Sequence, residues 1–283
     1  MKGFNNIGNT CYLNAGLQLL IRNFDLCKII IKYSNKSEIL NKLSNIILEY
    51  YDDNTNTIDP YEIKKILENR QIIFNGFTQQ DSTEFIILLL NIIDEEIKNC
   101  DPDSSELENI FGLNLNVIIK CKFIECLQIK DISEKNILLI LDITDNCYTL
   151  DDCYRKFKSK NILDKDNQYF CEKCNTKRIA SKRYQVINWP NYLLIYLKRF
   201  NQVGTRILKQ SKSIEIPMIW RHNMHLTGAV IHYGSTSSGH YVYIGKDNNK
   251  WYLFNDNQVT EIFDNEINNK LNSAYYLIYK NIL

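Results

Sequence analysis

Apolar residues recur at helical spacing near the start of the chain. Tyr12, Leu13, Gly16, Leu17 and Leu20 share a face behind Thr10, a residue type able to cap a helix. A second such segment carries Phe85, Leu88, Leu89, Ile92 and Ile93. Asp81-Ser82-Thr83-Glu84 precedes it in the form of a capping signal. Between the two, Ser37 to Leu67 gives shorter amphipathic stretches interrupted by Asp52-Asp53-Asn54. From about Asn114 the period shortens to two: Leu115, Val117 and Ile119 alternate with polar residues, and Ile137 to Ile143 is an apolar run of strand length. Leu150 to Phe157 returns briefly to helical spacing. Beyond it, Tyr184–Phe200, Ala229–Tyr233, Tyr241–Gly245, Trp251–Phe254 and Ala274–Tyr279 are β-branched and aromatic, with turn residues between them. Helices first and strands afterwards predict an α+β architecture rather than alternating βαβ units.

Composition narrows the class. The 283 residues are 45% hydrophobic and 24% charged, which suits a folded chain with a substantial core. A net charge of +1 lacks the broad basic field that holds nucleic acid. No segment approaches the roughly 18–20 apolar residues of a spanning helix, and Ile86–Ile93 is the densest. The polar, Asn-rich stretch from Met1 to Gly16 has no signal-peptide pattern. Together these predict an intracellular protein of the cytoplasm or nucleus, with no membrane partner. Nine cysteines, an odd number, then argue for reduced thiols that pack, react or bind metal.

Cys11 stands where a Gly/Asn-rich turn, Gly3 to Thr10, runs into the first helix. Free backbone N–H groups and the positive end of the helix dipole favour thiolate there, although an isolated Cys is more often buried and inert. His240 lies in Ser237-Ser238-Gly239-His240-Tyr241, where a flexible loop enters a strand and can bring a base close to a nucleophile. The segment Lys250 to Asp256 reads as a strand ending in Asn255 and Asp256, one hairpin away from His240. A side-chain oxygen at that end can accept the imidazole N–H and fix its tautomer.

These residues carry a resemblance. Gly3 to Ala15 resembles the cysteine box of the ubiquitin-specific proteases, and Tyr233 to Asp256 resembles their histidine box. Three further motifs agree in order: Gly76 to Phe85, Tyr169 to Cys174, and Leu197 to Phe200. The similarity extends from residue 3 to about residue 280. It implies a papain-like cysteine protease fold with a helical thumb, β-stranded fingers and a palm of antiparallel strands. One catalytic domain would span 1–283, with the thumb at 1–107, fingers and palm strands at 108–185, and the palm at 186–283. The implied reaction is hydrolysis of the isopeptide or peptide bond after the C-terminal Gly of ubiquitin, with no catalytic cofactor.

By the same resemblance Cys11 matches the nucleophile, His240 the general base and later acid, and Asn255 the group orienting it. Asn6 matches the side-chain donor to the oxyanion, and Asp256 could share or replace the role of Asn255. Asp81 and Glu84 match acidic positions meeting the basic ubiquitin tail, and Gln18 a helix glutamine beside the nucleophile. Phe200, His232 and Tyr241 match residues narrowing the channel for the Gly-Gly end. Without the resemblance, Asp81 and Glu84 read as a helix cap and its partner, and the aromatics as core.

Cys171-x-x-Cys174 has the spacing of a zinc knuckle, and Cys121 and Cys126 lie upstream as the second pair. Four residues separate them where the family has two. Cys126 falls on the second ligand position and Phe123 on the first, so Cys121 serves only if the turn is longer by two residues. A structural zinc and a decayed site of packed thiols are both open readings. Cys153 reads as a packing residue, and His222 and His225 as part of a surface loop.

Two rival functions share these features: a protease for another ubiquitin-like modifier, and a catalytically silent ubiquitin-binding adaptor. A zinc-dependent nucleic-acid module is disfavoured by the balanced charge. A catalytic domain alone would look to its own surface, or to a targeting or activating protein, to find ubiquitinated substrates.

Overall fold

The computed structural model describes residues 1–54, 56–203, 206–235 and 238–282. Residues 236 and 237, in the Gly/Ser loop before His240, thus lie outside the described residues.

The helical half contains Cys11–Ile21, Phe24–Tyr33, Glu38–Tyr51, Tyr61–Arg70, Ser82–Cys100 and Glu106–Phe111. All eleven residues of Cys11–Ile21 are buried, so this helix is an internal pillar rather than an amphipathic surface element. It packs between the Ser82–Cys100 helix and the strand Gly239–Asp247. Glu38–Tyr51 shows the other pattern: Leu40, Leu43, Ile46, Ile47 and Tyr50 are buried along one stripe. Ser37 caps it by accepting from the N–H of Leu40 at 3.2 Å.

The main sheet runs in the order Gln258–Ile262, Lys250–Asn255, Gly239–Asp247, Met224–Gly234, Ala274–Asn281, Tyr192–Lys198, Leu139–Asp142. Its neighbours are antiparallel except the last pair, where Ile195 lies beside Leu139 in a parallel register. Alternate residues go to different cores. Leu194 and Val230 join the core shared with the helices, whereas Leu193, Ile195, Ala229 and Ile231 join a second core on the far face. A sheet covered on both faces reads as continuous apolar runs, which is why these strands show little alternation.

A second sheet, ordered Ile129–Asn136, Leu113–Cys121, Ala180–Asn188, Asn161–Leu163, projects the alternating segment. In Leu113–Cys121 every odd residue is buried and every even one half-buried, as a period of two requires. The hairpin of Tyr169–Cys171 and Thr176–Arg178 completes this region. The chain is therefore α+β, with helical thumb, β fingers and mainly antiparallel palm.

Several boundaries differ from the sequence reading. Tyr184–Phe200 is not one strand: Ala180–Asn188 belongs to the fingers and Tyr192–Lys198 to the palm, divided at Trp189-Pro190-Asn191. Proline cannot donate to a ladder, so the chain changes sheets there. A helix at Asp264–Leu271 was not anticipated. His225 sits in the strand Met224–Gly234 rather than a loop, and the His222 ring lies tilted against Trp189, with centroids 5.0 Å apart. Cys153 is wholly buried in the Leu150–Lys158 helix, whose capping box joins Thr149 and Asp152.

Candidate active site

Asn6 folds the turn that delivers Cys11. Its Oδ1 accepts from the N–H of Gly8 at 3.1 Å and of Thr10 at 3.2 Å. Gly8 and Asn9 take φ of 117° and 52° in this turn, a left-handed backbone that Gly and Asn tolerate best. Thr10 occupies the N-cap position but does not cap through its side chain. Its hydroxyl instead accepts from the N–H of Ile7 at 3.1 Å, bracing the turn behind Cys11.

The turn is fastened to the far end of the chain. Asp256, in the hairpin turn after Lys250–Asn255, accepts from Asn6 Nδ2 at 2.9 Å and from Asn14 Nδ2 at 2.8 Å. Its carbonyl accepts from the N–H of Phe4 at 3.0 Å. Gly3 makes this approach feasible, since a Cβ there would lie 2.3 Å from the Asp256 carbonyl oxygen. Asn14 is 2% exposed and its Oδ1 has no partner among the described residues. An orphaned buried amide oxygen costs about 1–3 kcal/mol, so the charged bond to Asp256 must hold the amide in this orientation. The Asp256 carboxylate thus meets Asn6 and Asn14, not His240.

His240 begins the strand Gly239–Asp247, and its Nε2 lies 2.6 Å from Asn255 Oδ1. An amide oxygen only accepts, so the Nε2 carries the proton and Nδ1 is left as the basic nitrogen. The Cys11 thiol faces the backbone N–H of Tyr241, the residue after His240, as well as those of Tyr12 and Cys11 itself. Sγ and His240 are not hydrogen-bonded to one another among the described residues. Contacts of this kind often tighten only with substrate bound.

The helix terminus does not prevail over burial. Cys11 is 3% exposed, and desolvation pushes its pKa above the ordinary thiol value, with the Asp256 charge adding to it. The three backbone N–H groups pull the other way and lose. The thiolate therefore increases as pH rises through the raised pKa. Iodoacetamide alkylation of Cys11 in the free protein, followed by peptide mass spectrometry, is expected to accelerate continuously beyond pH 9. A rate already level at pH 7 would show that a preformed ion pair had overridden burial.

The aromatic positions converge. The His232 and Tyr241 rings are 4.4 Å apart, Phe200 and His232 5.4 Å, and Phe200 and Tyr275 5.3 Å. Burial, Lys209 and His240 bring the His232 pKa down to about 4, so the ring is neutral at physiological pH. Asp81 caps Ser82–Cys100 by accepting from the N–H of Thr83 at 2.6 Å and also accepts from the Tyr275 hydroxyl. Glu84 makes no capping box. It faces solvent on the first turn, with its pKa raised by partial desolvation and by Asp81.

Gln18 departs from its expected role. It is 1% exposed, its Nε2 donates to the Lys2 carbonyl at 2.7 Å, and its Oε1 accepts from the Tyr50 hydroxyl at 2.8 Å. Both ends of the amide are used within the chain, so Gln18 secures the N-terminal segment here. Gln79, which the sequence did not single out, clamps the loop before His240. Its Nε2 donates to the Gly239 carbonyl at 2.9 Å and its Oε1 accepts from the Gly239 N–H at 3.0 Å. Nothing in the run Thr78-Gln79-Gln80 distinguishes Gln79 from Gln80, which turns back to Ile73 and Thr78.

Away from this site, Cys121, Cys126, Cys171 and Cys174 have their sulfurs within 4.8 Å of one another, and Cys126 and Cys171 are 3.6 Å apart. Tetrahedral zinc with Zn–S of about 2.3 Å needs sulfurs about 3.8 Å apart, so the donor set fits a structural zinc. The longer turn is accommodated by the N–H groups of Cys126 and Leu127, both donating to the Phe123 carbonyl at 3.0 and 3.1 Å. Leu127 takes a φ of 46° as the chain returns. Phe123 instead lies under the Arg178 guanidinium, 4.1 Å from its ring centre.

The chain is 27% identical over 327 residues to ubiquitin carboxyl-terminal hydrolase Usp2 of Drosophila melanogaster, covering 98% of this chain and 34% of that protein. It is 27% identical over 333 residues to ubiquitin carboxyl-terminal hydrolase 12 of Salmo salar, covering 98% and 89%. It thus spans about a third of the fly relative and most of the salmon one. Among solved structures, the SAGA DUB module of Ubp8, Sgf11, Sus1 and Sgf73 bound to monoubiquitin contains a chain with TM-score 0.83 and 25% identity. That match covers 100% of this chain and 69% of the other. A yeast SAGA DUB module with a mutant Sgf73 gives TM-score 0.81 and 26% identity, again with 100% and 69% covered. The family model described as ubiquitin carboxyl-terminal hydrolase matches residues 2–279, nearly the whole sequence, and the chain belongs to that family.

Proposed function

We propose that this chain is a thiol deubiquitinase that hydrolyses the bond after the C-terminal Gly of ubiquitin. One observation supports the reading: Cys11, buried at a helix start, faces the N–H of Tyr241, the residue after His240, whose Nε2 lies 2.6 Å from Asn255 Oδ1 and whose Nδ1 is left as the basic nitrogen. In this reading Cys11 Sγ attacks the Gly carbonyl carbon while His240 Nδ1 takes the thiol proton. The negative oxygen is met by Asn6, whose Nδ2 has two hydrogens, one already held by Asp256. Asp256 thereby serves Asn6 and Asn14, and orienting the imidazole falls to Asn255. His240 returns its proton to the leaving amine, and water then hydrolyses the thioester.

The tail of the modifier would run between Asp81 and Glu84 and the rings of Phe200, His232 and Tyr241, a passage suited to residues without side chains. Residues 1–283 would form one catalytic domain, with thumb at 1–107, fingers and palm strands at 108–185 and palm at 186–283. The partners would be ubiquitin, ubiquitinated proteins and a targeting or activating protein, as Sgf11, Sus1 and Sgf73 accompany Ubp8 in the matched module. All nine cysteines are unpaired, which suits the reducing cytoplasm or nucleus. Among the described residues no helix is long and apolar enough to cross a membrane.

The test is reaction of the purified chain with a ubiquitin C-terminal electrophile, beside Cys11→Ala. A covalent adduct with the unaltered chain alone is expected. Ubiquitin binding without an adduct would favour a silent adaptor. Reaction only with electrophiles of other modifiers would move the substrate.

A further inference from the structure

The hairpin of Phe200–Val203 and Arg206–Lys209 leaves the palm sheet next to the aromatic cluster. Its base is held by Arg199, which is 2% exposed and donates to the carbonyls of Ala274 (2.7 Å), Gln210 (3.1 Å), Lys212 (2.7 Å) and Asn272 (2.8 Å). From its last residue the Lys209 ammonium crosses to the end of Met224–Gly234. It donates to His232 Nδ1 at 2.9 Å, to the His232 carbonyl at 2.9 Å and to the Gly234 carbonyl at 2.8 Å. An ammonium has three hydrogens and no lone pair, so all three are used and Nδ1 must be the unprotonated nitrogen. The proton of the neutral ring then sits on Nε2. That nitrogen lies against Gly239, where a Cβ would stand 2.0 Å from it. Gly239 is the residue before His240, and Gln79 grips both of its backbone polar groups from the other side.

We propose that Lys209 is a positioning residue for the reaction: it fixes the His232 ring, proton on Nε2, as the wall on which Gly239, and through it His240, is seated. The inference rests on the reading of His240 as the base. Nothing in the chemistry of the channel requires a lysine at this place, since Phe200, His232 and Tyr241 would narrow it equally without one. What the lysine adds is a single orientation and a single tautomer for a ring that touches the backbone carrying the base. Among the described residues, Lys209 and His240 are the charged groups that lower the His232 pKa, and the rings of Phe200 and the titratable Tyr241 lie against it.

The experiment compares the full chain with Lys209→Met. Histidine labelled with 15N reports the tautomer of each of the four histidines, and His232→Gln assigns the signal. Hydrolysis of a ubiquitin C-terminal fluorogenic amide, corrected for reactive sites by electrophile titration, gives kcat and KM. We expect His232 in the unaltered chain to be neutral with its proton on Nε2 at pH 7. Lys209→Met should mix the tautomers and lower kcat on the order of tenfold or more, the scale of a misplaced catalytic group, with KM little changed. A purely structural role would lower melting temperature and leave the corrected kcat as it was, which would overturn the inference. Should the variant not fold, the spectrum of the unaltered chain still decides: a His232 proton on Nδ1, or a charged ring at pH 7, refutes it. His240→Ala in the same assay separates the two claims. If that variant keeps turnover, the base assignment fails; if it is inactive while Lys209→Met is normal, only the role of Lys209 fails.

Discussion

Alanine at His240 is expected to lower kcat for a ubiquitin C-terminal amide by about 10⁴-fold or more, at or above the upper scale of general acid–base catalysis. The reason lies in the two nitrogens and one sulfur described above. Asn255 commits Nε2 to donating, so Nδ1 alone can accept the thiol proton. Burial and the Asp256 charge hold the Cys11 thiol protonated at neutral pH, so without the imidazole little thiolate exists to attack. The same reasoning gives a second signature. The residual activity of His240→Ala should climb as pH rises through the raised thiol pKa, because hydroxide then does what the base did. In the proposed reaction that residual activity is carried by the Cys11 thiolate, so adding Cys11→Ala to His240→Ala should abolish the climb with pH. A loss of under tenfold, or a residual activity flat with pH, would remove His240 from the base role.

The second large effect concerns the fingers. Purified protein is expected to carry one zinc, measured by mass spectrometry under native conditions, and Cys171→Ser to lose it. Cys121, Cys126, Cys171 and Cys174 come from the end of one strand, the turn after it and a separate short hairpin. The Tyr169–Cys171 and Thr176–Arg178 strands are only three residues each. Such a hairpin is marginal without a clasp, and a structural metal contributes its binding energy directly to folding. Losing it should lower the melting temperature by about 10 °C, using the usual few degrees per kcal/mol for a domain of this size. The four residues belong to the strand end, turn and hairpin of the fingers and Cys11 to a helix start in the thumb, so a zinc held there would be structural. Native protein without zinc, or a Cys171→Ser variant that retains it, would leave the cluster as packed thiols.

Much of the site was legible before the fold. Cys11 at a turn-to-helix junction, His240 at a loop-to-strand junction and Asn255 at a strand end are positions that local pattern can mark, because each depends on the backbone a few residues away. The alternation of Leu113–Cys121 likewise announced a sheet with one face covered. Cys171 and Cys174 stood out by their spacing, whereas the longer Cys121 to Cys126 turn left two readings open, and only the fold brings the four sulfurs within 4.8 Å of one another.

Other assignments depended on contacts between distant segments. Asp81 and Glu84 look like one capping unit in sequence, yet only Asp81 caps: one oxygen accepts from the Thr83 N–H, the other accepts from the Tyr275 hydroxyl, and Glu84 stays exposed with no return bond to the cap. Gln18 and Gln79 are indistinguishable by composition. One is closed off by Lys2 and Tyr50 and the other grips Gly239, and neither partner is local.

The sequence by itself determined the class of the chain and its broad order, helices before strands, and it marked the candidate site residues, since periodicity, capping and motif spacing are short-range properties. The tertiary structure alone decided the state of those residues. It made burial outweigh the helix dipole at Cys11, gave Asp256 to Asn6 and Asn14, and set Lys209 against His232. Desolvation and the geometry of hydrogen bonds depend on which distant atoms surround a group, and no pattern along the chain carries that information.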